Sequence, residues 1–97
     1  MKGYVIANVS VEDAAGYEGY RSQTAAIIER YGGRFLVRGG AVEVKEGAPG
    51  IARLIVLEFP SVEAARIFYD SPEYQAILPL RFENATSTLI IAEGASA

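Results

Sequence analysis

The chain has no cysteine, no histidine and no tryptophan in its 97 residues. Without thiols it forms no disulfide and has no sulfur nucleophile. Without imidazole it lacks the commonest general base and the usual zinc and haem ligands. A metal would have to be held by carboxylate oxygens alone, and no clustered acidic motif offers them, so neither a metal nor a cofactor is expected. Long apolar runs are missing too. The opening MKGYVIANVS is too short and too alternating for a signal peptide, and no stretch approaches membrane-spanning length. Nine Lys and Arg against twelve Asp and Glu give a net charge of −3, with the signs interspersed and no basic stripe, which offers little support for binding nucleic acid by counterion release. No nucleophile–base pair, dinucleotide fingerprint or phosphate loop is present, and Gly39-Gly40 precedes no helix start that could receive a phosphate. The expectation is a cytoplasmic protein that engages neither nucleic acid nor membrane.

What remains is apolar: 51% of the residues are hydrophobic, enough for one packed interior. A chain this short cannot divide into two cores, so residues 1–97 form a single domain. A domain of this size is marginally stable alone, which makes a second copy a natural partner.

Gly3 to Val9 alternates as a strand does, with Tyr4, Ile6 and Asn8 on one face and Val5, Ala7 and Val9 on the other. Asp13 caps a helix in which Tyr17, Tyr20, Ile27, Ile28 and Tyr31 recur at helical spacing and which Gly32-Gly33 ends. Gly16 and Gly19 lie within it, either to admit another backbone or on an ordinary surface. Arg34 to Arg38 reads as a second strand, Gly39-Gly40 as a bulge or bend, Ala41 to Val44 as extended again, and Glu46 to Gly50 as a turn. Leu54 to Phe59 is the third strand, with Ile55, Leu57 and Phe59 opposite Leu54, Val56 and Glu58. Pro60 stops it. Ser61 caps a helix with Ala64, Ala65, Phe68 and Tyr69 as its buried side, and Ser71-Pro72 opens a second helical segment that Pro79 should kink or stop. Thr88 to Glu93 is the last strand.

The order βαββαβ predicts an α+β fold, a ferredoxin-like split βαβ with an antiparallel sheet. Right-handed crossovers place both helical regions on one face of the sheet. The other face is left bare although its residues are mostly apolar, and the simplest cover is the same face of a second copy, two sheets packing in a homodimer.

The segments GGRFLVRGG, RLIVLEFPSVEAARIFYDSPEYQAILPLR and the closing IIAEG resemble the bacterial domain-of-unknown-function family thirteen-thirty. The likeness runs from Gly3-Tyr4 through Asp13 and Tyr20 to Gly94, and SPEYQ followed by Arg81 is its more specific part. Phe68 stands where that family usually carries Trp, and the hairpin loop EGAPG lacks the usual aromatic. The resemblance implies a dimeric α/β barrel of ferredoxin-like fold and supplies no activity. Cofactor-free monooxygenases and small lactone isomerases share the barrel by fold only.

Several residues are candidates for a ligand site. Arg81, just after the proline, could offer a bidentate guanidinium to a carboxylate or enolate, or close a structural ion pair with Glu58 or Glu83. Glu58 could hold Arg81 in place or act as a general base. Arg38 ends a strand beside two glycines that leave room for a ligand, or is simply exposed. Tyr20, Tyr69 and Tyr74 could present phenols to a cavity between helices and sheet, or be core. Asn8 is an amide on an apolar strand that needs a partner if buried. Arg53, directly after the turn, is expected to be screened by water and to matter less than Arg81. Two functions stay open: a binder of a small anionic or aromatic metabolite, or a cofactor-free enzyme doing proton transfer or oxygenation on a small acidic or phenolic substrate.

Overall fold

Two periodicities, 2.0 and 3.6 residues, divide the chain into seven elements. The computed structural model describes residues 1–47 and 50–96. Its elements run β1 (Gly3–Val11), α1 (Ala14–Arg30), β2 (Arg34–Arg38), β3 (Leu54–Phe59), α2 (Val62–Asp70), α3 (Pro72–Asn84) and β4 (Ala85–Glu93). The strands form one sheet in the order β2-β3-β1-β4, each neighbouring pair antiparallel. This is the expected ferredoxin-like α+β arrangement.

Alternation sorts the strand residues as the sequence implies. Val5, Ala7 and Val9 of β1 and Leu57 and Phe59 of β3 are buried with Tyr17, Tyr20, Ile27 and Ile28 of α1, Phe68 of α2, and Tyr74, Ile77 and Leu78 of α3. Tyr4, Ile6 and Asn8, with Leu54, Val56 and Glu58, lie on the sheet's other face and are only half-buried. The Asp13 carboxylate caps α1, accepting from the backbone N–H groups of Ala15 and Gly16 at 3.1 and 3.2 Å. Ser71 serves two helices at once. Its hydroxyl donates to the Phe68 carbonyl at 2.7 Å, closing α2, and accepts from the Tyr74 N–H at 3.2 Å, opening α3. Gly16 is a point of close approach, since a Cβ there would lie 2.2 Å from the Asn84 side chain at the end of α3.

Three local expectations are corrected and one alternative is resolved. Pro79 does not end the helix: α3 continues to Asn84, with the proline on its exposed side, where the Gln75 carbonyl it leaves free can bind water. Of the bulge or bend expected at Gly39-Gly40, Gly39 is a bend, and the bulge lies earlier, at Leu36, where pairing with β3 steps from Phe35↔Leu57 to Val37↔Val56. Ala41 to Val44 pairs with no strand among the described residues, and Val42 and Val44 are exposed. β4 begins at Ala85, three residues before Thr88, because β1 itself extends to Val11 and pairs with Ala85. The turn expected over Glu46 to Gly50 includes Ala48 and Pro49, which lie outside the described residues.

Candidate functional site

Arg81 reaches the interior by helical period. Tyr74, Ile77, Leu78 and Arg81 occupy positions i, i+3, i+4 and i+7 of α3 and form its buried stripe. Arg81 is 3% exposed, an unusual state for a guanidinium. It donates through one terminal nitrogen to the Ser87 hydroxyl of β4, and its Cζ lies 5.8 Å from the Tyr20 ring centroid and 5.2 Å from that of Phe82. Its Nε has no hydrogen-bond partner among the described residues.

A second, half-buried arginine also has an unpartnered Nε. Arg53 stands two residues before Ile55, so the alternation that turns Ile55, Leu57 and Phe59 inward turns Arg53 inward as well. Its Nε is likewise buried and unpartnered among the described residues. Gly39 makes room for it: a Cβ at that position would come within 2.6 Å of Arg53 Cζ, and the Gly39 backbone has φ +71°, a conformation side chains other than glycine's disfavour. Water screening of Arg53 was the wrong expectation, because the strand's inward face begins one step before its ladder does.

Arg38 arrives by a different device. In a regular strand it would share a face with Arg34, which pairs with Glu58 on the sheet's outer side. The bulge at Leu36 reverses the phase, so Arg38 pairs with Ile55 on the inner side and lies 4.2 Å over the Phe35 ring.

These three arginines meet at one cavity between the sheet and the helices. Its free volume is about 50 Å³, and its walls include Val5, Ala7, Leu57, Phe68 and Leu89 together with Tyr17, Tyr20 and Tyr74. Arg21 reaches its edge but is held by Glu18 at 2.9 Å. No Asp or Glu lines the cavity among the described residues. Nor do the described residues contain a group of three or more His, Cys, Asp or Glu placed to hold a metal, or a helix long and apolar enough to cross a membrane.

The phenols at the cavity are acids held in their neutral form. The Tyr20 and Tyr74 hydroxyls are 2.6 Å apart and buried. Burial pushes the Tyr20 hydroxyl far above the usual phenol range, and the neighbouring Tyr74 adds to this. Burial raises Tyr74 and Tyr17 too; the Tyr20 hydrogen bond and Arg81 partly offset it at Tyr74, and Arg53 and Arg81 do so at Tyr17.

The remaining candidates lie elsewhere. Glu58 faces away from the helices, accepting from Arg34 Nε at 3.0 Å and from the Tyr4 hydroxyl at 3.3 Å. The expected Glu58–Arg81 pair is therefore not formed, since the sheet stands between them. Asn8 is also on that far face, where it donates to the Gly50 carbonyl at 2.6 Å and accepts from the Ala52 N–H at 2.9 Å, pinning the β2–β3 connection. Tyr69 is half-buried beside Tyr74, with ring centroids 5.6 Å apart, and does not line the cavity. Of the seven candidates, the structure brings together Arg81, Arg38, Tyr20 and Tyr74.

Fold and site define a ferredoxin-like α+β domain with a small arginine-lined cavity under its helices. The chain belongs to the family described as Domain of unknown function (DUF1330), which matches residues 2–95. No curated protein matches it. Among solved structures it is similar to a protein of unknown function from Rhodopseudomonas palustris, with 21% identity and a TM-score of 0.75 over 99% of this chain and 84% of that one. It is also similar to SnoaB, a cofactor-independent oxygenase from Streptomyces nogalater, with 17% identity and a TM-score of 0.63 over 99% and 95% of the two chains. An uncharacterised NIPSNAP domain protein from Burkholderia xenovorans shares 13% identity at a TM-score of 0.53, over 99% and 96%. At these identities the likeness establishes the fold alone.

Proposed function

We propose that this domain binds a small organic anion in the cavity between sheet and helices, with Arg81 as its principal anchor. The observation that carries this reading is a guanidinium 3% exposed with no carboxylate partner and a buried, unpartnered Nε, on a side chain that lines a cavity with no acidic side chain in its walls among the described residues. A buried charge costs several kcal/mol unless it is compensated, and a bound anion would be the missing compensation. Isothermal titration with a panel of small carboxylates and phenols tests it. Arg81→Gln should weaken binding by about 2–5 kcal/mol, roughly 30-fold to several thousand-fold. Equal affinity of the variant and the wild type would sink the assignment.

The alternative, a cofactor-free enzyme of oxygenase or isomerase type, draws only on fold likeness and needs a group that accepts a proton near neutral pH. Glu58, the carboxylate considered for that role, lies across the sheet, and the cavity's phenols are shifted away from ionisation. Binding is the better-supported reading.

We also propose that two copies associate through the sheet face turned from the helices. Val37, Val56, Ile6 and Ile90 stand in register across all four strands there, and Ile90 is 50% exposed. Covering such a row with its own copy would bury on the order of 1,200 Å² or more in total. Light scattering at micromolar concentration should report a dimer, and a monomer would refute the pairing.

A further inference from the structure

We infer that the cavity is built for a small dicarboxylate, one carboxylate held by Arg81 and the other by Arg53. The inference rests on the reading of the cavity as an anion site and goes beyond it in naming the ligand's charge, its size and a second anchor.

Charge comes first. Arg38, Arg53 and Arg81 line one cavity with no Asp or Glu beside them among the described residues. A single negative charge seated at Arg81 would leave Arg53 with its Nε still buried and without a partner. Buried donors left unsatisfied are rare in folded proteins, and two on one cavity call for acceptors on the ligand. The anchors also come from separate parts of the fold. Arg81 belongs to the last turn of α3 and is tied to β4 through Ser87, whereas Arg53 precedes β3 and lies against Gly39. The fold supports Arg53 locally: its carbonyl accepts from the Val9 N–H at 2.9 Å, and Gly39 has no Cβ where one would strike the guanidinium. Tyr17 lines the same cavity as both arginines.

Size comes second. A water molecule needs roughly 10–15 Å³ of such space, so the free volume of about 50 Å³ takes only a few water-sized groups. Drug-sized ligands occupy cavities of about 300 Å³ or more. A polycyclic aromatic is therefore too large for the cavity as it stands, while a diacid with a two- to four-carbon skeleton is of the right order. The apolar walls contributed by Val5, Leu57 and Leu89 suit the methylenes between its carboxylates.

The test compares each dicarboxylate with its own monoamide, which keeps the size and removes one charge. Malonate, succinate, malonamate and succinamate are titrated calorimetrically into the wild type, Arg53→Gln and Arg81→Gln at constant ionic strength, with folding of each variant checked by circular dichroism. The wild type should prefer a dicarboxylate to its monoamide by about tenfold or more, the value of one charged hydrogen-bonded contact. Arg53→Gln should remove that preference while leaving monoamide affinity within about threefold, and Arg81→Gln should weaken both ligands. Equal binding of diacid and monoamide to the wild type would overturn the two-anchor inference and leave the anion site standing. A preference that survives in folded Arg53→Gln would overturn the role of Arg53. Sulfate competing as well as succinate would show that one doubly charged centre suffices, against a two-headed ligand. Binding of none of these anions would overturn the inference together with the reading it rests on.

Discussion

Replacing Arg81 with Met should make the empty protein more stable while destroying its ligand site. In the wild type the guanidinium is 3% exposed, and the described residues offer it no carboxylate. Burial of an ion costs several kcal/mol after relaxation. Against this stand a charged hydrogen bond to Ser87, worth about 1.5–3 kcal/mol, and ring contacts with Tyr20 and Phe82, worth about 0.5–2 kcal/mol. Met keeps the apolar stem and removes the ion; the Ser87 hydroxyl left behind is only half-buried and can find water. We expect a net gain of about 1–2 kcal/mol, a Tm rise of roughly 5–15 °C for a domain of this size. Thermal melts in a buffer free of multivalent anions measure it. A ligand at about 100 times its Kd should then raise the wild type by about 2.7 kcal/mol and the variant hardly at all. A lower Tm for Arg81→Met, with ligand response intact, would show that Arg81 is a closed structural element and refute the reasoning.

Three further outcomes follow from the same geometry. Tyr20→Phe or Tyr74→Phe alone should cost about 1–3 kcal/mol by orphaning a buried hydroxyl now bonded at 2.6 Å, and the double variant should cost clearly less than the sum, as a urea-denaturation cycle will show. Stability should fall as pH rises above about 10: burial lifts the folded pKa of Tyr20 and Tyr74 above that of the unfolded chain, so the unfolded state loses its protons first, and the stabilisation present below that pH is lost above it. Denaturation at pH 8 and pH 11 checks this, with Tyr20→Phe giving the shallower fall. Gly39→Ala should displace Arg53 and cost about 1–2 kcal/mol for its positive φ, seen as a lowered Tm and a reduced diacid preference in titrations.

Much of this was legible in the residue pattern, and the misses have identifiable causes. The strand faces, the Asp13 and Ser71 caps and the bare apolar side of the sheet follow from alternation and from capping chemistry, which are local. Arg53 was also legible, since it continues the alternation Ile55, Leu57, Phe59, but the neighbouring turn suggested solvent. Arg81 is carried inward by the stripe Tyr74, Ile77 and Leu78, not by a break at Pro79. Glu58 was misplaced by nearness in sequence, although alternation already set it opposite the core. The partners of Asn8 lie 42 and 44 residues away, at Gly50 and Ala52, beyond the reach of any local signal.

The bulge at Leu36 marks the sharpest limit of such reading, and it can be tested. Strict alternation over Arg34 to Arg38 puts Arg38 on the outer face with Arg34, whereas the observed register puts it inside with Phe35. One extra residue in a strand reverses every side chain beyond it, and nothing in RFLVR reveals where the extra residue sits. Deleting Leu36 therefore distinguishes the two registers. If Leu36 is the bulged residue, its deletion restores a regular ladder in which Phe35, Val37 and Arg38 keep the partners Leu57, Val56 and Ile55. Little is lost, because Leu36 is 45% exposed. Arg38→Ala should then weaken anion binding to a similar degree in the full-length and deleted proteins, by about 1 kcal/mol or roughly fivefold for an exposed guanidinium. If the strand were regular instead, Arg38 would lie outside in the full-length chain and enter the cavity only on deletion, so Arg38→Ala would be silent in the first protein and costly in the second. That second pattern, measured by titration, would overturn the register on which the third arginine of the site depends.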